Sequence, residues 1–138
     1  MTAVDALQLT LAAEHAAVFV YGALGAQTSQ SRTPTLYASL TASYTLHRTR
    51  RDELIAMVRA AGAVPVAAEP GYELPADLST PALVTTRARA LEGSAAKTYA
   101  YLVASTADDT RAWAIAALLD AAVRELGFGA SPDRLPGL

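Results

Sequence analysis

Apolar positions recur at alternating spacings of three and four residues in four long stretches of the chain, the periodicity of helices that bury one face. Leu7, Leu11, Glu14, Val18, Tyr21 and Gly25 mark the first line. The helix it predicts runs over residues 3–28, with Thr2 as its cap and Asp5 in its first turn. The polar segment 27–32 separates it from a second line of Leu40, Tyr44, His47, Arg51, Leu54 and Val58. Thr33-Pro34 is a start signal, because proline at the first helical position lacks only an N–H that would have no helical partner there; Gly62 suits the position just past the end. Thr80-Pro81 repeats the signal and opens a third helix over 81–104, with Val84, Ala88, Leu91, Ala95, Thr98 and Leu102 in line and Glu92 and Tyr99 on its flank. After a short turn, a fourth helix is expected over 108–126. Ile115, Leu119, Ala122 and Leu126 form its apolar line, Trp113, Asp120 and Arg124 lie on an adjacent face, and Gly127 and Gly129 stop it.

No strand-like alternation interrupts this pattern, so the expected fold class is all-α. The short connections make helices 1 and 2, and helices 3 and 4, antiparallel neighbours. Residues 63–79, between helices 2 and 3, hold Pro65, Pro70, Gly71 and Pro75 and no helical period. Such a span can travel the height of a bundle, about 38 Å for a 25-residue helix. Two hairpins joined by one long crossover is the connectivity of a ferritin-like antiparallel four-helix bundle. One domain, residues 1–129, is expected, followed by a flexible C-terminal tail over 130–138.

Composition narrows the chemistry. Of 138 residues, 52% are hydrophobic and alanine far exceeds the aromatics, which favours closely packed helices. The absence of cysteine excludes a disulfide framework, a thiolate zinc site and a cysteine nucleophile. A net charge of −2, with the charges scattered, argues against a nucleic-acid surface. Ten arginines against one lysine, Lys97, reads as codon composition. The first ten residues carry Asp5 and no basic region, and the most apolar stretch, 16–26, is short and glycine-marked for a membrane span. A cytoplasmic protein with no membrane partner is expected.

The candidate chemistry lies at the helix midpoints: Glu14, His47, Glu92 and Asp120. A carboxylate or imidazole inside a bundle costs several kcal/mol, on the order of the buried-charge penalty, unless it is paired, hydrogen-bonded or metal-bound. Counting residues from the two turns puts all four near one level. As donors they suit iron, manganese or zinc. A di-iron bundle, however, takes a Glu from each of two helices and a Glu-x-x-His pair from each of the others. Here Tyr44 and Arg50 flank His47 at three residues, Val123 follows Asp120 at three, and Arg48, Arg50 and Arg51 crowd His47. A guanidinium can supply a metal's charge to a carboxylate. The favoured reading is therefore a metal-free polar layer, with Glu14 or Glu92 paired to Arg50, Arg51 or Arg124, His47 hydrogen-bonded among them and no cofactor; iron or manganese is the alternative. His15 points about 100° from Glu14 and reads as a flank residue. Tyr21, Tyr44, Tyr99 and Tyr101 read as packing residues with a hydroxyl at the edge rather than redox centres. With no phosphate loop and no serine nucleophile elbow, a non-catalytic role is favoured.

The run Leu11-Ala-Ala-Glu14-His15, the segment His47-Arg-Thr-Arg50-Arg51-Asp52 and the crossover Pro65…Pro70-Gly-Tyr72-Glu-Leu-Pro75 resemble an uncharacterised ferritin-like domain family of high-GC bacteria. The resemblance covers nearly the whole chain and implies a ferritin-like bundle without an activity to inherit. Against iron-binding ferritin relatives, Glu14 and Glu92 match the lone carboxylates of helices 1 and 3, and His47 stands where a Glu-x-x-His pair would be.

Val18, Phe19, Val20 and Tyr21 spread four large apolar side chains around most of helix 1. A helix apolar all round is expected to be buried all round, which predicts a homodimer through helix 1. The competing expectation is that the crossover folds over this face, laying Val66, Tyr72 or Leu74 on it.

Overall fold

The computed structural model describes residues 2–138, and in them four helices: α1 (Ala3–Ala26), α2 (Pro34–Ala60), α3 (Pro81–Ser105) and α4 (Asp108–Gly127). No strand occurs among the described residues. Thr2 caps α1 as the sequence suggests, its hydroxyl accepting from the Asp5 N–H while the Asp5 carboxylate accepts from the Thr2 N–H at 2.8 Å. Thr80 caps α3 by accepting from the Leu83 N–H at 3.2 Å. Thr33 does not cap α2; its hydroxyl donates to the Ser29 carbonyl at 3.0 Å, and the helix starts on Pro34 without a side-chain cap. Gly62 follows the α2 cap at φ 83°, the left-handed conformation that glycine adopts without Cβ strain.

The helices form two antiparallel hairpins, α1–α2 and α3–α4, joined by packing of α1 on α3. Tyr99 reaches Glu14 and Tyr21 reaches Glu92, so α1 and α3 run antiparallel. On the opposite side Glu53 meets Trp113 and Ser43 meets Arg124, so α2 and α4 are antiparallel too. That seam is wide: among the described residues no Cα of α2 comes within 8 Å of α4. Between α2 and α3 the chain climbs α1 from end to end. Gln8 donates to the Val64 carbonyl at 2.7 Å and accepts from the Val66 N–H at 2.8 Å; further along, the Tyr72 ring tilts against Phe19 at 5.4 Å. Part of the outer face of α1 is thus covered within one chain.

The core has two apolar ends. Leu7, Leu11, Leu54, Val58 and Leu102 fill one; Val20, Leu24, Leu40, Val84 and Phe128 fill the other. The polar layer lies between them. By length and composition alone α1 is apolar enough to cross a membrane; here one side of it packs against α2 and α3, while Leu9 and Phe19 on the other remain exposed. After α4, Arg89 donates to the Gly129 carbonyl, and Gly137 packs so tightly on α3 that a Cβ there would overlap the Ala96 carbonyl. The segment expected as a tail therefore runs back along α3.

Three buried faces differ from those the pattern suggested. On α2, Ser43 and Arg50 face inward in place of Tyr44 and Arg51. On α3, Glu92, Ala96 and Tyr99 lie on the buried line, and Leu91, Ala95 and Thr98 sit on its flank. On α4 the pattern is inverted: Ala114, Ala117 and Ala121 are buried, whereas Ile115, Leu119, Val123 and Leu126 point outward. The cause is close approach. α4 packs its alanines against Ala96 and Tyr99, and Glu125 lies over Gly93, so the innermost positions take only small side chains and Leu118 fits at the edge.

Candidate functional site

At mid-height α1 and α3 present the same motif, a glutamate followed seven residues later by a tyrosine: Glu14 and Tyr21 on one, Glu92 and Tyr99 on the other. Seven residues make two helical turns, so each pair shares a face. Because the helices are antiparallel, each tyrosine meets the other helix's glutamate. The Tyr21 hydroxyl donates to Glu92 Oε1 at 2.8 Å, and the Tyr99 hydroxyl donates to Glu14 Oε1. His47 enters from α2 between the two carboxylates. Its Nδ1 lies 2.6 Å from Glu14 Oε2 and its Nε2 lies 3.0 Å from Glu92 Oε1. The Tyr21 ring stacks on the imidazole at 5.3 Å and fixes its plane. Glu14, His47 and Glu92 are essentially sealed from solvent.

Burial pulls the His47 pKa down, but the hydrogen bonds and charges of Glu14 and Glu92 outweigh it and push it up to about 9. At neutral pH His47 is therefore an imidazolium that donates from both ring nitrogens. Burial and the neighbouring carboxylates hold both tyrosines well above the usual phenol range: Glu92 acts on Tyr21 and Glu14 on Tyr99. They are hydroxyl donors rather than phenolates.

A second cluster fills the α2–α4 seam. The Arg50 guanidinium lies over the Tyr99 ring at 5.1 Å, donates to the Tyr99 hydroxyl at 3.3 Å and reaches Asp120 Oδ2 at 3.0 Å. Arg124 binds the same oxygen at 2.8 Å and donates to the Ser43 hydroxyl at 3.4 Å. Asp120 thus belongs to a different cluster, linked to Glu14 only through Arg50 and Tyr99. Of the four midpoint candidates the structure brings three together. The expected carboxylate–arginine pairing is absent at Glu14 and Glu92: Arg50 turns to Asp120, and the imidazolium takes its place. His15 meets the Val66 carbonyl at 3.0 Å and holds the crossover.

The layer is a poor match for the iron or manganese that its residue types suggested as the alternative. A metal takes the lone pair of a neutral imidazole, while here both ring nitrogens are already within hydrogen-bond distance of carboxylate oxygens on opposite sides. Among the described residues no group of three acidic or histidine side chains is arranged to hold a metal ion. Glu92 Oε2, buried without a protein partner, is the one oxygen in the layer that accepts no bond. A single free oxygen does not make a coordination sphere. Beside the layer, a cavity of about 190 Å³ separates α1 from α3 and ends on Glu14, His47 and Tyr99. Its walls are largely apolar, with Ala13, Ala17 and Leu91 among them.

Tyr21, Tyr99 and Arg50 are the participants that a reading by helix lines assigned to packing or left among alternatives. The signal that finds them is the repeated Glu-x₆-Tyr spacing on two helices that must run antiparallel.

No functionally curated protein is detectably similar to the chain. Among solved structures, the chain is similar to the crystal structure of a conserved hypothetical protein, rv2844, from Mycobacterium tuberculosis. The TM-score is 0.83 at 31% identity, covering 95% of this chain and 94% of that one. Residues 6–138 match the model of a domain of unknown function, and the chain belongs to that family, DUF4439.

Proposed function

We propose that the chain is a non-catalytic, cytoplasmic ferritin-like bundle in which the Glu14–His47–Glu92 layer stands in place of a dinuclear metal centre. The observation that carries this reading is the placement of His47, whose opposite ring nitrogens lie 2.6 Å and 3.0 Å from oxygens of the two carboxylates. Its positive charge does for the two glutamates what a metal would otherwise do. The ferritin-like assignment rests on two antiparallel hairpins joined by an end-to-end crossover. With no nucleophile, no open coordination position and no charged phenol, the layer is suited to setting the relative height of α1, α2 and α3 rather than to turnover.

Elemental analysis of protein purified without chelator, before and after incubation with ferrous iron or manganese, tests the reading. Metal well below one ion per chain in both states is the expected result. Two irons per chain with oxygen-dependent oxidation of ferrous iron would replace it with the redox or storage alternative.

A further inference from the structure

α4 carries its large aliphatic side chains on the wrong side for a monomer. Leu119 is 59% exposed and Val123 65%, with Ile115 at 43% and Leu126 at 42%, while the inward face is alanine. These four residues fall on one stripe along a 20-residue helix, about 30 Å long. Ala112 and Ala116 extend the stripe, and no charged residue interrupts it between Arg111 and Glu125. Both of those charges lie on the same flank of the stripe, one near each end. Arg111 spends only its Nε, on the Val103 carbonyl at 3.1 Å, and among the described residues neither side chain has an ion-pair partner.

We propose that this face binds a second copy of the chain, α4 against α4, antiparallel about a two-fold axis near Leu119. A two-fold interface requires a patch that is its own complement. Antiparallel pairing about that point supplies it: Ile115 faces Val123 of the partner subunit, Leu119 faces its own copy, and Arg111 comes beside Glu125 of the partner subunit on the same flank. Parallel pairing would instead carry this flank to opposite sides of the seam in the two copies, so that neither charge would meet its opposite. The outer stripe of α1 is the weaker candidate. Leu9, Ala12, Ala16, Phe19 and Ala23 are mostly alanine, and Tyr72 of the crossover already rests on Phe19. The α4 strip, on the order of 300 Å² per copy, matches the largest apolar patch of an ordinary monomer and is smaller than the ~800 Å² that a standard interface buries per partner. A dimer that dissociates at micromolar concentrations follows.

Sedimentation equilibrium of the full chain over a concentration series reads this directly. The expected mass rises from 14.3 kDa toward twice that value by about 200 µM. Leu119→Asp should remain at the monomer mass throughout, with its helix content unchanged by circular dichroism, while Phe19→Asp should dimerise like the parent. Arg111→Glu and Glu125→Arg should each weaken association about tenfold, and the double reversal should return it to within about threefold of the parent. A parent that stays monomeric at every concentration overturns the proposal. So does a dimer lost in Phe19→Asp but kept in Leu119→Asp, or a double reversal no better than its single changes.

Discussion

Glu14 and Asp120 are both carboxylates near the middle of a helix, both bonded to cationic side chains, and their surroundings differ in nearly every other respect. Glu14 is closed off between two apolar ends of the core, and its partners, His47 and Tyr99, are themselves buried. Asp120 is 37% exposed at its side chain and sits between two guanidiniums in a seam wide enough to admit solvent. The difference follows from how closely the helices approach. α1, α2 and α3 meet through leucines and tyrosines that leave little room for water, so a charge among them depends on its protein partners, and of the carboxylate oxygens there only Glu92 Oε2 has none. α2 and α4 are held apart by arginine, tryptophan and glutamate side chains, so water can screen whatever those chains leave unpaired. Similar charge pairs therefore differ in what they are worth.

The largest test of that contrast is Glu14→Ala. It leaves the His47 imidazolium and the Tyr99 hydroxyl buried without their acceptor, and urea denaturation should show a loss of roughly 3 kcal/mol or more. A change within error would mean that water reaches the layer. Next comes pH. His47 rises from an ordinary 6.5 to about 9 in the fold, so the folded state holds a proton that the unfolded chain releases. The stabilisation is fully present below pH 6.5 and is lost as pH rises through about 9. At about 1.36 kcal/mol per unit the loss is on the order of 3 kcal/mol. Denaturation midpoints between pH 6 and pH 10 should fall accordingly, and a His47→Gln variant should lack that slope. A parent stability flat across this range would place His47 in its neutral form.

The helix extents, the caps at Thr2 and Thr80 and the crossover were legible because each rests on local chemistry: a proline after threonine, a spacing of three and four, a stretch without period; Thr33, marked by the same signal, starts its helix without a side-chain bond. The crossover's partner was legible in part, since Tyr72 lies on Phe19 as one of the two expectations for that face had it. Rotation of each helix was less legible. On α2 the lines through Arg50 and Arg51 both fit the spacing, and what selects Arg50 is the face of Tyr99, a residue 49 positions away. On α4 hydrophobicity pointed the wrong way, because the depth available beside Ala96 and Gly93 decides which side chains fit, and depth is set by the partner helix. Glu14, His47 and Glu92 could be placed at one level by counting rise. That Asp120 would turn to a separate pair of arginines depended on the width of a seam between two elements far apart in sequence.

Two tyrosine changes probe the rim of the sealed layer. Tyr99→Phe removes the hydroxyl that donates to Glu14 Oε1 and accepts from Arg50, and a loss of about 2 kcal/mol is expected. Tyr21→Phe should cost nearer 1 kcal/mol, about the worth of one hydrogen bond, because Glu92 Oε1 keeps its bond to His47. Equal effects would show that the two halves of the layer are interchangeable despite the arginine on one side.

Asp120→Ala should do least. It removes the shared acceptor of Arg50 and Arg124, which at first sight leaves two unpaired cations and invites a penalty like that of Glu14→Ala. The surroundings argue otherwise. Arg124 is partly open to solvent and keeps Ser43, while Arg50, though largely covered, keeps the Tyr99 ring and hydroxyl. Water entering the wide seam can take the place of the lost carboxylate at both guanidiniums. The expected cost is at most about 1 kcal/mol, and it should shrink further in high salt. Urea denaturation at low and high ionic strength measures both. A salt-independent loss as large as that of Glu14→Ala would mean that the α2–α4 seam is as dry as the layer behind it, and the distinction between the two clusters would fall.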